Sequence, residues 1–413
     1  MKKVSKLALA ALVAAILGST MTMADEAPAG GTPKGQVSSA AGPALQAAQK
    51  AFNAKKFDEM FAELDKVKNN PKKNDYDDFV MNQFLYSAYV AQNKLPLALA
   101  PLEALMGSKY TPPEEQKKHY VQAAFLYYQM QNYDKAIEFG NKAMKEGATS
   151  AQLPNVIAQA YYLKGDYKST DRFVRGLVDE QIKAGQSPVD ELLQLGLSSQ
   201  VKLNDDAGMA RWLELLVAYH PKPEYWQNLL DNMYRTKLTD RQLLQVYRLS
   251  AEVGALNRGS EYAEMAQLAL DAGSPGEAVA TLTKGFAANL FTTPADKNRN
   301  QHLLDSAKKV AATDQPTLAK TEADAANAAT GDHLVGVGIG YFGYGDYERA
   351  SKDIAAGLAK GMSKDSTDAR LLLGIAQFKA GDKEAAVKTF KSVKGDPTSE
   401  RLAALWVLRT KSS

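Results

Sequence analysis

A short cassette of residues recurs along this chain of 413 residues, and no other feature limits the possible folds as much. In each copy, a small residue lies three or four positions before a tyrosine in an apolar segment, and a polar turn containing Asn or Gly-Asp follows. A sequence that repeats itself at a fixed period folds as one supersecondary unit stacked on copies of itself. The clearest copies occupy residues 120–136, 157–167 and 337–350.

The spacing of the copies indicates the kind of unit. Tyr133 and Tyr167, which follow two of the turns, are 34 residues apart, while Phe57, Leu95 and Tyr133 follow one another at intervals of 38. Apolar residues recur at steps of three and four between the turns, which is the period of an amphipathic helix. Each repeat is therefore predicted to be a pair of helices joined by a short turn, with occasional short insertions.

With a helix–turn–helix unit of this length, the chain resembles the tetratricopeptide repeat family. The resemblance implies an all-α fold, an α-solenoid that winds as a right-handed superhelix. It extends over about ten repeats in residues 43–397, and residues 398–413 are expected to form a capping helix with Arg401 and Arg409 on its polar face. The best matching units contain Tyr262, Met265, Ala266, Ala269, Gly273, Ala278, Leu282 and Gly285, and then Leu373, Gly374, Gly381, Asp382, Ala386, Phe390 and Pro397.

The small residues of the cassette have a steric explanation. Where the two helices of a repeat cross closely, only Gly or Ala leaves room for the backbones. Ala136 and Gly338 are predicted to occupy such positions. A glycine-rich run at residues 336–345 resembles a nucleotide-binding loop, but such a loop needs a preceding strand and a βαβ unit, which the helical pattern does not provide.

The first residues of the chain predict export. Lys2, Lys3 and Lys6 precede an apolar segment at residues 7–17, and small residues lead up to Ala24. This pattern is typical of a signal peptide over residues 1–24, cleaved after Ala24. An uncleaved membrane anchor is the alternative, but 11 residues are too few to span a bilayer as a helix. Residues 25–42, rich in Ala, Gly, Pro and Ser, are expected to be a flexible leader.

Charge and composition exclude several classes of function. Removal of the three signal-peptide lysines would leave 47 basic and 47 acidic residues, so the net basic charge of +3 disappears with the signal. Nucleic-acid binding, which needs a basic footprint, is therefore not expected. The chain has no Cys, which excludes disulfides, thiolate nucleophiles and Cys-type zinc sites.

No pattern of catalytic residues accompanies the repeats. His119, His220, His302 and His333 are the only histidines, and no two of them have the spacing of metal ligands or lie beside a candidate nucleophile. We expect no enzymatic activity, no cofactor, no metal and no stable insertion into a membrane.

The resemblance also implies where a partner would bind, because the first helix of each such repeat lines the concave face. In that first helix, the residue directly after the repeated aromatic position is often aromatic too, and an amide side chain lies about one helical turn before it. Amides can pair with a peptide backbone, and rigid aromatics anchor with little loss of entropy. Packing between neighbouring helices is an equally open role for these residues. The candidate binding residues are Tyr128, Tyr162, Gln159, Tyr234, Gln227, Phe342 and Phe378.

The sequence therefore favours a periplasmic scaffold that binds peptide segments of envelope proteins on its concave face. A solenoid that binds glycans or peptidoglycan in the cell envelope is the alternative, because an aromatic and amide groove also suits a sugar chain.

Overall fold

The computed structural model describes residues 32–234, 236–363 and 366–412, and their regular secondary structure is helical throughout. The all-α prediction is thereby confirmed. The predicted signal peptide with its cleavage site at Ala24 lies outside the described residues, as do residues 25–31 of the predicted leader. Among the described residues, no helix combines the length and the apolarity that crossing a membrane requires.

The helices belong to two compact units, one ending at Ala184 and the other beginning at Gly185. Unit 1 consists of four helix pairs, and each helix packs on the next one in the chain. Its helices are α1 (Gly42–Asn53), α2 (Phe57–Lys68), α3 (Asp75–Ala91), α4 (Leu95–Gly107), α5 (Pro113–Gln129), α6 (Tyr133–Lys145), α7 (Leu153–Lys164) and α8 (Tyr167–Lys183).

Unit 2 continues the helix pairs and ends in a single helix. A 3₁₀ turn at Gln315–Thr317 separates its longest helix from a short one. Its helices are α9 (Asp190–Leu203), α10 (Asp206–Tyr219), α11 (Pro223–Tyr234), α12 (Asp240–Glu252), α13 (Gly259–Asp271), α14 (Pro275–Ala287), α15 (Pro294–Asp314), α16 (Leu318–Ala326), α17 (Asp332–Gly343), α18 (Tyr347–Lys360), α19 (Thr367–Lys379), α20 (Lys383–Lys391) and α21 (Pro397–Lys411).

The polar turn of the cassette folds as it does because it caps the second helix of each pair. The Asp166 side chain accepts a hydrogen bond from the Ser169 N–H at 3.1 Å, which satisfies one of the free N–H groups at the start of α8. The residue before the cap adopts a left-handed backbone, with φ of +88° at Gly165 and +60° at Gln131. Equivalent caps are formed by Asn132, Asp205, Asp346 and Asp382.

The small-residue positions lie where the two helices of a pair meet. A Cβ at Gly338 would lie 2.5 Å from Ile354 Cγ1 and 3.1 Å from the Ala350 carbonyl oxygen, so the backbones of α17 and α18 do approach there. Gly196 and Gly374 differ, because a ring from the second helix fills the space instead. At Gly374 a Cβ would lie 2.5 Å from the ring of Phe390.

Part of the predicted leader has defined contacts with unit 1. The Ser38 N–H donates a hydrogen bond to Asp77 Oδ1 at 2.9 Å, and Asn74 Nδ2 donates to the Gln36 carbonyl at 3.1 Å. Asp77 is fully buried and also accepts from the Asn74 N–H, in a capping box at the start of α3. The chain just before α1 is thus tied to the N-terminus of α3.

Unit 2 contains contacts between repeats that are distant in sequence. Helix α12 packs against α19 and α21 as well as against its neighbours in the chain. Glu252 at the end of α12 pairs with Lys379 and, at 2.9 Å, with Arg409. Gln242 donates to Asp396 at 2.9 Å. A simple linear array would bring only adjacent repeats together, so these contacts distinguish unit 2 from such an array.

Helix α21 occupies the segment predicted to be a capping helix, and its apolar face packs on α20. Trp406 is fully buried and stacks on Phe390, with ring centroids 5.8 Å apart. The polar face differs from a solvated outer surface, because Arg401 pairs with Glu214 of α10 at 2.5 Å and Arg409 pairs with α12.

Helix α12 is buried around much of its circumference. Residues 244–250 are all buried, and they include the polar side chains of Gln245, Arg248 and Ser250. Arg248 forms two parallel hydrogen bonds with Glu277 of α14, from Nε to Oε1 at 2.8 Å and from Nη2 to Oε2 at 2.7 Å. A buried guanidinium needs such a partner, because an unpaired charge inside a protein is strongly destabilising.

Candidate functional site

Three of the seven predicted binding residues form a patch in unit 1, which we call the α5–α7 patch: Tyr128, Gln159 and Tyr162. The Tyr128 hydroxyl, on α5, donates a hydrogen bond to Gln159 Oε1, on α7, at 2.6 Å. Tyr162 lies one turn beyond Gln159 on the same helix. All three side chains are half-buried, so each retains surface that a ligand could reach.

The tyrosine rings of this patch are held in place by contacts with other aromatic rings, and the same kind of contact recurs along the chain. Tyr128 packs against Tyr133 with ring centroids 6.0 Å apart, and Tyr162 packs edge-on against Tyr167 at 5.3 Å. In both cases the partner is the first residue of the following helix, five positions later. The rings are therefore positioned before any ligand arrives, which lowers the entropy lost on binding.

Two of the other predicted residues lie on α11 in unit 2. The Tyr234 hydroxyl is 2.9 Å from Ser250 Oγ, and its ring packs against Tyr247 at 5.6 Å. Burial raises the pKa of Tyr234 to about 12. Gln227 accepts a hydrogen bond from Asn257 Nδ2 at 3.3 Å. Both side chains are half-buried and contribute to contacts between helices.

Phe342 and Phe378 are packed beneath charged side chains. Phe342 is 7% exposed, and the Arg248 guanidinium lies 5.0 Å from the centre of its ring. Phe378 packs edge-on against Trp406 at 5.7 Å, and Arg409 covers it at 5.6 Å. The structure thus brings Tyr128, Gln159 and Tyr162 together and places the other four predicted residues at separate contacts within unit 2.

A second feature, which the sequence analysis did not anticipate, is a cavity of about 690 Å³ in unit 2. This unit-2 cavity lies along one face of α12, between α17 and α19, and its volume is in the range of ligand sites. Its floor is mostly apolar and its rim is mostly charged. The floor includes Leu244, Gln245, Arg248, Leu268, Val335, Ile339, Ala369 and Leu372, and the rim includes Asp240, Arg241, Asp271, Thr330, Asp332, His333, Ser363 and Asp368.

Negatively charged side chains are more numerous than positively charged ones among the described residues of the rim. Asp332 accepts hydrogen bonds from the N–H and the hydroxyl of Ser363, at 3.0 and 2.9 Å. Hydrogen bonds from Thr330 and Ser363 hold the pKa of Asp332 below its usual range, so it is ionised at neutral pH. Arg241 lies 4.0 Å from Asp368. Since Arg248 is already paired with Glu277, the described part of the rim includes four carboxylates and one guanidinium, that of Arg241.

Gly336 leaves a bare stretch of helix facing this cavity. A Cβ at Gly336 would meet no described atom within 4 Å, whereas one at Gly338 or Gly340 would clash with Ile354 or Leu318. The glycine-rich run therefore contains three kinds of glycine: those whose Cβ would clash, Gly345 with its left-handed backbone at φ of +83°, and Gly336, which neither packing nor backbone conformation requires. Such a glycine does not by itself locate the cavity from the sequence, because Gly176 of α8 is also a helical glycine whose Cβ would meet no described atom, and it lies in unit 1.

Comparison with known proteins identifies part of the chain. Residues 338–400, which include α18, α19 and α20, match the family model described as tetratricopeptide repeat. No curated protein matches the chain. The described residues contain no group of three or more His, Asp or Glu side chains that could hold a metal ion.

Several solved structures resemble the chain loosely. The TPR2AB-domain:pHSP90-complex of yeast Sti1 is 14% identical, with a TM-score of 0.24, and the match covers 72% of this chain and 98% of that one. Yeast Tom70 is 10% identical, with a TM-score of 0.25, and the match covers 90% and 95%. The APC/C hetero-tetramer Cut9-Hcn1 is 12% identical, with a TM-score of 0.22, and the match covers 98% and 93%.

Proposed function

This chain is a tetratricopeptide repeat protein, and from that premise we propose that it is an exported scaffold that binds peptide segments of other envelope proteins. Repeats of this kind are protein interaction modules, because stacked helix pairs present an extended surface rather than an enclosed reaction centre. The finer proposal concerns the place of binding, which is the α5–α7 patch of unit 1, and the compartment, which is the periplasm.

The observation that carries the proposal is the hydrogen bond between Tyr128 and Gln159 within a half-exposed aromatic surface. Among the described residues the amide Nε2 of Gln159 has no acceptor, so it can donate to a peptide carbonyl while Oε1 accepts from Tyr128. Tyr162 supplies a second ring one turn away. Large aromatic side chains held in position are the residues that most often dominate binding energy at protein interfaces.

The periplasmic assignment is supported by the signal-peptide pattern up to Ala24. Envelope proteins are then the partners within reach. A fusion of residues 1–24 to an alkaline phosphatase that folds only after export should give activity. Replacing the apolar residues 7–17 with polar ones should abolish that activity.

A peptide library displayed on phage and selected against the chain would test the proposed binding site. We expect enriched peptides that bind the unchanged protein and that bind a variant carrying both Tyr128→Ala and Gln159→Ala at least about tenfold more weakly, as for the loss of hot-spot residues. Met144→Ala is the matched control, because Met144 is also exposed in unit 1 but lies on α6, away from the patch. Equal loss of binding in the control variant would contradict the assignment.

The glycan alternative makes a different prediction for the same protein. Sedimentation with insoluble peptidoglycan would remove the chain from solution, and the Tyr128→Ala and Gln159→Ala changes would prevent this. If the library yields no peptide while peptidoglycan retains the chain, the peptide proposal is wrong and the glycan alternative takes its place.

A further inference from the structure

We propose that the unit-2 cavity is a second binding site, which accepts a peptide segment that combines basic and apolar side chains. This second site rests on the proposed function in one respect, which is that the ligand is a peptide. The cavity and the α5–α7 patch share no residues. Three features of the cavity support this site: the charge of its rim, the chemistry of its floor and the open space beside Gly336.

The rim selects for positive charge. Among the described residues that line the cavity, four carboxylates surround one available guanidinium, that of Arg241. Three of the four are anchored by neighbours: Asp332 by Ser363, Asp271 by Gln267 Nε2 at 3.0 Å, and Asp368 beside Arg241. An excess of like charge around a concavity attracts the opposite charge and repels its own kind. Lysine or arginine side chains fit this rim, and an acidic segment does not.

The floor selects for apolar groups with a polar contact between them. Leu244, Ile339 and Leu372 come from three different helices and present an apolar surface. Gln245 lies among them, is 4% exposed, and its Oε1 has no hydrogen-bond partner among the described residues. Buried amide oxygens are nearly always paired in folded proteins. A backbone N–H of a bound peptide would supply the missing donor.

The space beside Gly336 is retained at a cost to the fold. Glycine inside a helix is less stable than alanine because it loses more backbone entropy on folding. No described atom lies within 4 Å of the Cβ that alanine would add, so packing does not explain the glycine. The bare backbone of α17 instead keeps the cavity open, as expected where another chain approaches closely.

Binding can be measured with the full chain and a short fluorescent peptide in which Lys and Leu alternate, by fluorescence anisotropy at low and at high salt. We expect saturable binding that weakens with salt, because part of the attraction is between exposed charges. A matched peptide alternating Glu and Leu should not bind, and neither should one alternating Lys and Ser. Preferential binding of the acidic peptide, or equal binding of all three, would overturn the proposal.

Two kinds of variant locate the site. Gly336→Phe would place a ring at the cavity, starting from a Cβ that meets no described atom, and we expect loss of peptide binding without a fall in the melting temperature. Gly176→Phe is the matched control, because Gly176 is also an exposed helical glycine whose Cβ would meet no described atom, and it lies in unit 1. Asp271→Asn and Asp332→Asn should each raise the Kd about two- to fivefold, as for exposed charge pairs.

Further measurements separate this proposal from its alternatives. Spermidine, a free polyamine, should displace the Lys and Leu peptide only at far higher concentration, because it has no groups for the apolar floor. Displacement by spermidine at equal concentration would show that the site takes free cations, which overturns the peptide assignment. The variant with Tyr128→Ala and Gln159→Ala should bind this peptide normally, so failure at one site leaves the other testable. If Gly336→Phe leaves binding intact, the unit-2 cavity is not the site.

Discussion

Replacing Glu277 with Gln is expected to destabilise unit 2 more than any change on its surface. Glu277 is the partner of Arg248, and both side chains are almost fully buried, with 10% and 5% exposed. Gln keeps the shape but removes the negative charge, which leaves the guanidinium buried without a counterion. Removing one partner of a buried pair costs about 3–5 kcal/mol, and the amide oxygen of Gln can still accept one hydrogen bond, so we expect about 3 kcal/mol.

The double variant tests the physical reason. If burial of an uncompensated charge causes the loss, then Arg248→Met combined with Glu277→Leu should recover most of it, because a well-packed apolar pair of similar volume is often neutral or stabilising. The Arg248 guanidinium also lies over Phe342, so some of the recovery will be offset by the loss of about 0.5–2 kcal/mol of cation–π attraction.

The chain offers a convenient assay for this prediction. All three tryptophans, Trp212, Trp226 and Trp406, belong to unit 2 and are buried, so their fluorescence during urea denaturation reports on that unit alone. The free energy of unfolding of each variant follows from the midpoint and the slope of the transition. A change of less than about 1 kcal/mol for Glu277→Gln, or a double variant no more stable than the single one, would refute the reasoning.

Four further changes probe two helical glycines, a turn residue and a buried carboxyl. Gly338→Leu should lower the free energy of unfolding by about 1–3 kcal/mol through overpacking against Ile354, while Gly336→Ala should raise it by about 0.5–1 kcal/mol; equal tryptophan-detected urea midpoints would contradict this. Gln131→Gly should stabilise unit 1 by about 1 kcal/mol, because the backbone there is left-handed, and thermal melts followed by circular dichroism would reveal it. Burial raises the pKa of Asp353 to about 6 from 3.8, so the unfolded chain loses its proton first and stability falls as the pH rises from about 4 to about 6. Asp353→Asn should remove this dependence and add about 1–3 kcal/mol at pH 7, and equal urea midpoints of the two proteins at pH 7 would be the opposing result.

Local features of the fold were predictable from the sequence because their chemistry lies within a few residues. Asp166 caps α8 through a residue three positions later, and Gly165 supplies the left-handed backbone just before it. The locations of the small residues could also be predicted, but the side chains that pack against them could not. At Gly196 the ring that occupies the space belongs to Trp212, and no local pattern specifies that choice of partner.

The surroundings of α12 could not be predicted, because they depend on residues far away in the chain. Its apolar residues recur with the period of a surface helix, and the polar ones between them indicate contact with water. In the structure the polar residues of α12 have partners from distant helices, since Arg248 pairs with Glu277 of α14 and Glu252 pairs with Lys379 of α19 and Arg409 of α21. For the same reason spacing alone placed Phe342 beside a repeat position but could not reveal the Arg248 side chain that covers it.

The pairing of Glu252 with Lys379 and Arg409 has a consequence for how this protein can change in length. An open array of repeats tolerates the gain or loss of a unit, because each unit needs only its neighbours. In unit 2 the last helix, α21, contacts α12. Inserting or deleting one helix pair between them would shift α21 and break these contacts. Evolution could lengthen the chain elsewhere, but the number of repeats between α12 and α21 is set by the requirement that the ends meet. Unit 2 should accordingly unfold as one cooperative body rather than by the stepwise fraying of terminal repeats.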